Sequence, residues 1–118
     1  MRIKKKPEDF IPLTPRTFHI LLALKDGVEH GYAIMKEVES RSAGRVKIGP
    51  GTLYEAIGRL VDSALLKEVP GPATAKKDKR RRRFYRLTPM GRRVMRLEAE
   101  RMADLVGYVR AEALLVEG

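Results

Sequence analysis

Apolar positions along this chain fall into four stretches with helical spacing and two short runs that alternate like strands. The first stretch opens at Thr14-Pro15, a capping hydroxyl followed by proline at the first helical position. It carries Phe18, Ile20, Leu21, Leu22 and Leu24 almost all round, so a largely buried helix is predicted. Asp26-Gly27 is its expected stop, with glycine in the left-handed position. A second helix is expected from about Gly31 to Ser40, with Ile34, Met35 and Val38 inward and Lys36, Glu37 and Glu39 outward. Ser42-Ala43-Gly44 breaks it, and Val46 and Ile48 flank Lys47 in an extended lead-in to Gly49-Pro50-Gly51. The third helix runs from about Gly51 to Ser63. Leu53, Ile57, Leu60, Val61 and Ala64 share one stripe, opposite Gly51, Thr52, Glu55, Gly58, Arg59 and Asp62, with Tyr54 on the flank.

Leu65 to Val69 then reads as a strand, Pro70-Gly71-Pro72 opens a loop, and Arg82 to Leu87 reads as the returning strand. Thr88-Pro89 repeats the helix-start signature, and a long helix is expected from there to near Leu115. Its stripe of Met102, Leu105, Val106, Val109, Ala113 and Val116 has nothing after it in the chain to cover it, so it folds back on the domain or packs on another chain. Residues 1–12, broken by Pro7 and Pro12, read as an irregular arm. The predicted class is mainly α with a small β-hairpin. Three helices, a basic hairpin and a fourth helix are the order of a winged helix-turn-helix over residues 13–87, with residues 88–118 as a long C-terminal helix.

Length changes this picture little: 118 residues suit one domain with a modest core. Charge changes it more. The formal net charge is +10, yet residues 88–118 are neutral, with five basic and five acidic side chains. Lys76 to Arg86 hold eight basic residues against Asp78 alone. Charge concentrated on the hairpin tip of an otherwise balanced protein favours a polyanionic partner, either nucleic acid or an acidic membrane surface. A solvated charge run is the plainer explanation of the same cluster.

Candidate chemistry is sparse. Without cysteine there is no disulfide, thiolate metal site or cysteine nucleophile. His19 and His30 lack a second ligand at metal spacing; His19 suits helix packing and His30 a cap or turn before Gly31. Glu98 and Glu100 read as a solvated helix face. No nucleophile, metal site or cofactor site emerges, so an enzyme is not expected. No secretory or membrane-spanning stretch is seen, and a soluble cytoplasmic protein with no membrane partner is expected. Gly49-Pro50-Gly51-Thr52 fails as a nucleotide loop, because the Walker pattern requires Gly-Lys-Ser/Thr. It works as the front of a recognition helix, where small residues allow close approach and free N–H groups attract phosphate. Tyr32 and Tyr54 either donate hydroxyl hydrogen bonds to phosphates or cover the core edge. RNA binding lacks the exposed aromatic platform that unstacked bases need. A protein–protein adaptor with an incidental basic wing is the alternative on this fold.

Three segments in matching order, HGYAIMKEV at 30–38, GPGTLYEAIGRL at 49–60 and RRFYRLTPMGRRV at 82–94, resemble the PadR family of bacterial transcriptional regulators. The resemblance implies a homodimer that represses nearby genes by binding double-stranded DNA, relieved by a small hydrophobic or aromatic effector. It implies DNA contacts at Tyr32, Gly51, Thr52, Tyr54 and the wing arginines Arg80, Arg81, Arg82 and Arg83. Lys36, Lys47 and Lys79 add cations beside this set, and Glu55 and Arg59 are its candidates for base edges. It implies dimer contacts at Met102, Leu105, Val106, Val109 and Ala113, with Gly91 keeping the start of that helix slim. Two departures stand out. The family ends its recognition helix on glycine where this chain has Ala64, so a different helix end is expected, and no tryptophan is present to sandwich a planar drug.

Overall fold

The computed structural model describes residues 5–72 and 83–115. Four helices and three short strands follow one another: α1 (Pro15–Ala23), β1 (Glu29–His30), α2 (Gly31–Arg41), α3 (Pro50–Asp62), β2 (Leu66–Val69), β3 (Phe84–Leu87) and α4 (Pro89–Ala111). Both Thr-Pro starts work as expected. Thr14 accepts from the Thr17 amide at 3.1 Å and Thr88 from the Gly91 amide at 2.9 Å. His30 caps α2 in the same way, its Nδ1 accepting from the Ala33 amide.

The core collects Ile20, Leu21 and Leu24 of α1, Ile34 and Val38 of α2, Leu53, Ile57 and Leu60 of α3, and Leu65, Leu66, Tyr85, Leu87 and Val94 around the sheet. Phe18 is buried as well. These are mostly the inward positions of each helical period, and their burial is the main favourable term in folding. Ala64, grouped with the α3 stripe, is exposed past the end of the helix.

The sheet differs from a simple hairpin. β3 is central, antiparallel to β2 with Leu66 opposite Leu87 and Val69 opposite Phe84, and antiparallel to β1 with His30 opposite Phe84. A two-residue strand carries no readable alternation, so β1 was invisible to periodicity. The first helix also stops earlier than Asp26-Gly27, closing at Ala23, and Gly27 (φ 144°) lies in the turn beyond.

The N-terminal arm is not irregular throughout. Pro7–Phe10 forms a 3₁₀ turn that packs on α4, with Asp9 accepting from the Lys6 amide at 2.9 Å. Pro7 is buried, and Phe10, Ile11 and Leu13 pack against the core. Proline at the start of a turn is compatible with helical backbone, so the proline read as a breaker is an initiator here.

Helices α2, α3 and α4 end alike. The residue two past each C-cap donates back to a carbonyl of the last turn: Gly44 to Glu39 at 2.8 Å, Leu65 to Leu60 at 2.9 Å and Leu114 to Val109 at 3.1 Å. The left-handed residue between is alanine each time, Ala43 (φ 54°), Ala64 (φ 61°) and Ala113 (φ 56°). The expected change of helix end at Ala64 therefore does not occur, since the two returning hydrogen bonds hold alanine in the glycine conformation.

Candidate nucleic-acid interface

Helix α3 presents two opposed surfaces. Leu53, Ile57 and Leu60 are buried, and Gly51, Thr52, Tyr54, Glu55, Gly58, Arg59 and Asp62 are exposed. Its start is unlike those of the other helices. Gly49 occupies the cap position and offers no side chain, so the first-turn amides of Gly51 and Thr52 receive no side-chain cap. Uncapped amides at a helix start form a site for an anion. Gly51 and Gly58 have open space where a Cβ would lie. Gly58, inside the helix, costs it about 1 kcal/mol relative to alanine, and packing inside the chain does not require either glycine. Bare backbone on an exposed helix face suits close approach by a partner.

The charged side chains of α3 form one unit. Arg59 Nη2 donates to Glu55 Oε1 at 2.5 Å across one helical turn, with both side chains well exposed. Such a surface pair contributes at most about 1 kcal/mol. Its two groups are therefore held together only weakly.

The two tyrosines pack with one ring face and leave part of each ring at the surface. Tyr32 on α2 is 53% exposed, stacks on His30 with ring centroids 6.4 Å apart, and lies under the Lys36 ammonium at 5.5 Å. Tyr54 is 48% exposed, and its phenol lies so close over Gly31 that a Cβ there would meet the hydroxyl at 2.5 Å. Its ring thus seals the α2–α3 contact while part of it stays at the surface. Lys47 is exposed two residues before the Gly49 cap. Of the hairpin cations, Lys79, Arg80, Arg81 and Arg82 lie outside the described residues. Arg83 is exposed at the base of β3, 3.6 Å from Glu68. Beside that pair, burial pushes the Tyr85 phenol above its ordinary value and the nearby Glu68 carboxylate adds to the shift.

The expected dimer residues divide. Leu105 and Val106 are exposed, Met102 and Val109 are half-buried, and Ala113 lies beyond the end of α4 rather than on its stripe. The same region exposes Tyr108, Leu114 and Leu115. Phe18 is in the core, Phe10 packs against it, and Tyr108 is 62% exposed.

A second correction concerns Glu98. Far from being a solvated face, it is fully buried on α4. It accepts from the Leu13 amide at 2.5 Å and from the Arg101 guanidinium. The Arg101 hydrogen bond holds its carboxyl below the ordinary glutamate value, outweighing the opposing effect of burial. One signal for this was in the sequence. Gly91, Val94 and Glu98 fall on one face of α4, and a carboxylate in line with an inward stripe needs partners. At Gly91 a Cβ would come within 2.0 Å of the Leu65 carbonyl oxygen. That glycine lets α4 dock on the corner where α3 turns into β2.

Among the described residues no cluster of acidic and histidine side chains could hold a metal ion, and no helix is long and apolar enough to cross a membrane. Over 95 residues the chain is 40% identical to an uncharacterized 37.1 kDa protein in transposon TN4556 of Streptomyces fradiae. That match takes in 80% of this chain, which spans 25% of the relative's length. A transcriptional regulator from Clostridium thermocellum has a similar structure, with a TM-score of 0.63 at 29% identity over 81% of this chain and 86% of that one. Bacillus subtilis PadR, solved in complex with operator DNA, shares the fold at a TM-score of 0.61 and 18% identity, over 86% of this chain and 64% of that one. A PadR family transcription regulator from Clostridium difficile gives 0.63 at 21% identity, over 81% and 97% of the two chains. The family model described as transcriptional regulator PadR-like matches residues 20–97, which run from within α1 into α4, and the chain therefore belongs to the PadR-like family of transcriptional regulators.

Proposed function

We propose that this protein is a homodimeric, sequence-specific repressor that lays α3 of each copy in successive major grooves of a pseudo-palindromic operator. The observation that carries this reading is the exposed face of α3. Its uncapped amides and open glycines have no use inside the chain and match what a phosphate backbone and groove floor require. Thr52, Tyr54 and Tyr32, with Lys36 and Lys47, lie along phosphates. Glu55 and Arg59 face base edges, and the wing cations Lys79 to Arg83 follow the flanking backbone. Two half-sites about 34–36 Å apart follow from the spacing of successive grooves.

The exposed apolar residues at the end of α4 support pairing of two copies through Met102, Leu105, Val106, Val109 and Tyr108, with Ala113 at the edge. Relief of repression by a small hydrophobic or aromatic effector belongs to the same proposal. Such a molecule acts only by binding one dimer arrangement better than the other. The protein would act in the cytoplasm, where its DNA is.

The deciding experiment titrates the purified protein with the duplex upstream of its own gene and with random duplex at one salt concentration. A preference of about a thousandfold or more is expected of a specific regulator. Absence of any duplex binding would instead favour a protein–protein adaptor.

A further inference from the structure

Beside the start of α3 lies an open groove of about 440 Å³, lined by Thr14, Pro15 and Arg16 on one side and by Arg45, Val46 and Lys47 on the other. Its volume lies within the range of ligand clefts. Arg16, Arg45 and Lys47 are all exposed around it, and none forms an ion pair among the described residues. Three cations without an ion pair among the described residues border one groove, and each would attract an anion entering it.

Both walls are held in place before any ligand arrives. On the α1 side, Leu13 is tied to the buried Glu98, and the next residue, Thr14, caps the helix. On the other side, the Ser42 hydroxyl brackets the loop, accepting from the Val46 amide at 2.9 Å and lying 3.3 Å from the Val46 carbonyl, which it can reach as a donor. Ile48 anchors that loop in the core. With the backbone of both walls held, only the side chains remain to be ordered on binding, a smaller loss of freedom than for a mobile basic tail.

From this geometry we infer that the groove is a second phosphate clamp, in which Arg16, Arg45 and Lys47 hold the DNA backbone at the N-terminal end of α3. The inference rests on the DNA-binding reading above and adds Arg16 and Arg45 to it. Position selects a DNA strand over a free anion. Lys47 is two residues before the Gly49 cap, so one wall of the groove leads along the chain to the uncapped start of α3. The 13 residues of α3 span roughly 20 Å at the helical rise per residue. The major groove is about 12 Å wide, so a helix lying in it brings its ends close to the bordering phosphates. The groove is open and its cations are long and exposed. That suits a strand passing through, whereas a free anion would need enclosing donors.

The test compares the full-length protein with the double variant Arg16→Gln/Arg45→Gln, and with a control that removes equal charge elsewhere, Arg93→Gln/Arg96→Gln on the exposed side of α4. Binding to the upstream and random duplexes is followed against salt. The clamp predicts that the slope of log affinity against log salt falls by about 1.8 in the first variant, roughly 0.9 for each lost contact. The control slope should stay unchanged. The preference for the upstream duplex should also be retained, since backbone contacts carry no sequence information.

An unchanged slope in the first variant, with wild type binding normally, overturns the clamp and leaves the regulator reading intact. An equal fall in both variants also overturns it, because net charge alone would then account for the effect. Failure of wild type to bind any duplex removes both readings. Titration with inorganic phosphate supplies the remaining arm. Submillimolar perturbation of the Arg16 and Arg45 amide resonances, with duplex slopes unaffected, would reassign the groove to a free anion and overturn the proposal. Should the double variant fail to fold by circular dichroism, Arg45→Gln alone is read in the same assay, with an expected fall of about 0.9.

Discussion

The two halves of α4 share one helix and one periodicity but face different surroundings. In the first half Gly91, Val94 and Glu98 are buried against the chain's own α1, β3 and N-terminal turn. In the second, Leu105, Val106 and Tyr108 are exposed although the apolar spacing continues. An amphipathic stripe establishes that a face will be buried and says nothing about which chain buries it. The first half is closed by long-range contacts inside the domain. The second is left with apolar area that no described residue covers, the surface through which pairing of two copies is proposed above.

Substitutions in the two halves should therefore read out in different experiments. Gly91→Ala should have the largest effect, because its new methyl group would collide with the Leu65 carbonyl, a backbone atom that cannot rotate away. A loss of about 3 kcal/mol, at the upper end for overpacking, is expected in chemical denaturation. Near-wild-type stability would show that α4 docks more loosely than its geometry implies.

Glu98→Ala should cost about 2–3 kcal/mol, since the Leu13 amide and the Arg101 guanidinium both lose a buried partner. This site also predicts a pH dependence of definite sign. The carboxyl is held below its ordinary value of 4.5 in the folded protein, chiefly by Arg101. Its contribution is therefore complete above about pH 4.5 and is lost as the pH falls through the depressed folded value. Glu98→Gln should flatten that part of the stability–pH curve; if the curves of the two proteins keep the same shape, Glu98 is not the group that titrates.

In the distal half, Leu105→Glu should alter the stability of the isolated fold by no more than about 0.5 kcal/mol, as for other surface positions. It should instead convert dimer to monomer in sedimentation velocity at micromolar concentration. An unchanged sedimentation coefficient would leave the exposed end of α4 unexplained by self-association.

The smallest effect sharpens the same contrast. Ala64 and Ala113 adopt the same left-handed conformation, one beneath the start of α4 and one beyond its end. Ala64→Gly should relieve strain and stabilise by about 1 kcal/mol, or roughly 4 °C in melting temperature. Ala113→Gly should be nearly silent, because the last turn of a helix opens locally at little free-energy cost. Equal shifts at both sites would mean that the distal end is as firmly held as the Ala64 corner.

Much of the fold was legible because its causes are local. The Thr14 and Thr88 caps, the inward faces of α2 and α3 and the outward face of α3 depend on residues three or four positions apart, and each appears where its spacing predicts. The exposed Gly51, Thr52, Glu55 and Arg59 were legible for that reason. The two-residue β1 was not, since its existence depends on β3 lying alongside it rather than on its own residues. Nor was the groove at Arg16 and Arg45, whose walls come from segments separated by all of α2. Glu98 shows the limit most plainly. Its helix position was correctly placed, but its burial depends on a partner 85 residues earlier in the chain.

By itself, then, the sequence determined the order of the four helices and of the two hairpin strands, the capped helix starts, the polar face of α3 and the presence of an apolar stripe on α4. These follow from side-chain periodicity and short-range hydrogen bonds, which act within one turn of backbone. The tertiary structure decided which of those faces closes on which. It placed Glu98 beneath Leu13, set Gly91 against the Leu65 carbonyl, brought Arg16 beside Arg45 and left the end of α4 open. Those outcomes depend on contacts between distant segments, whose stability comes from the packing of the whole core rather than from the pattern of any one stretch.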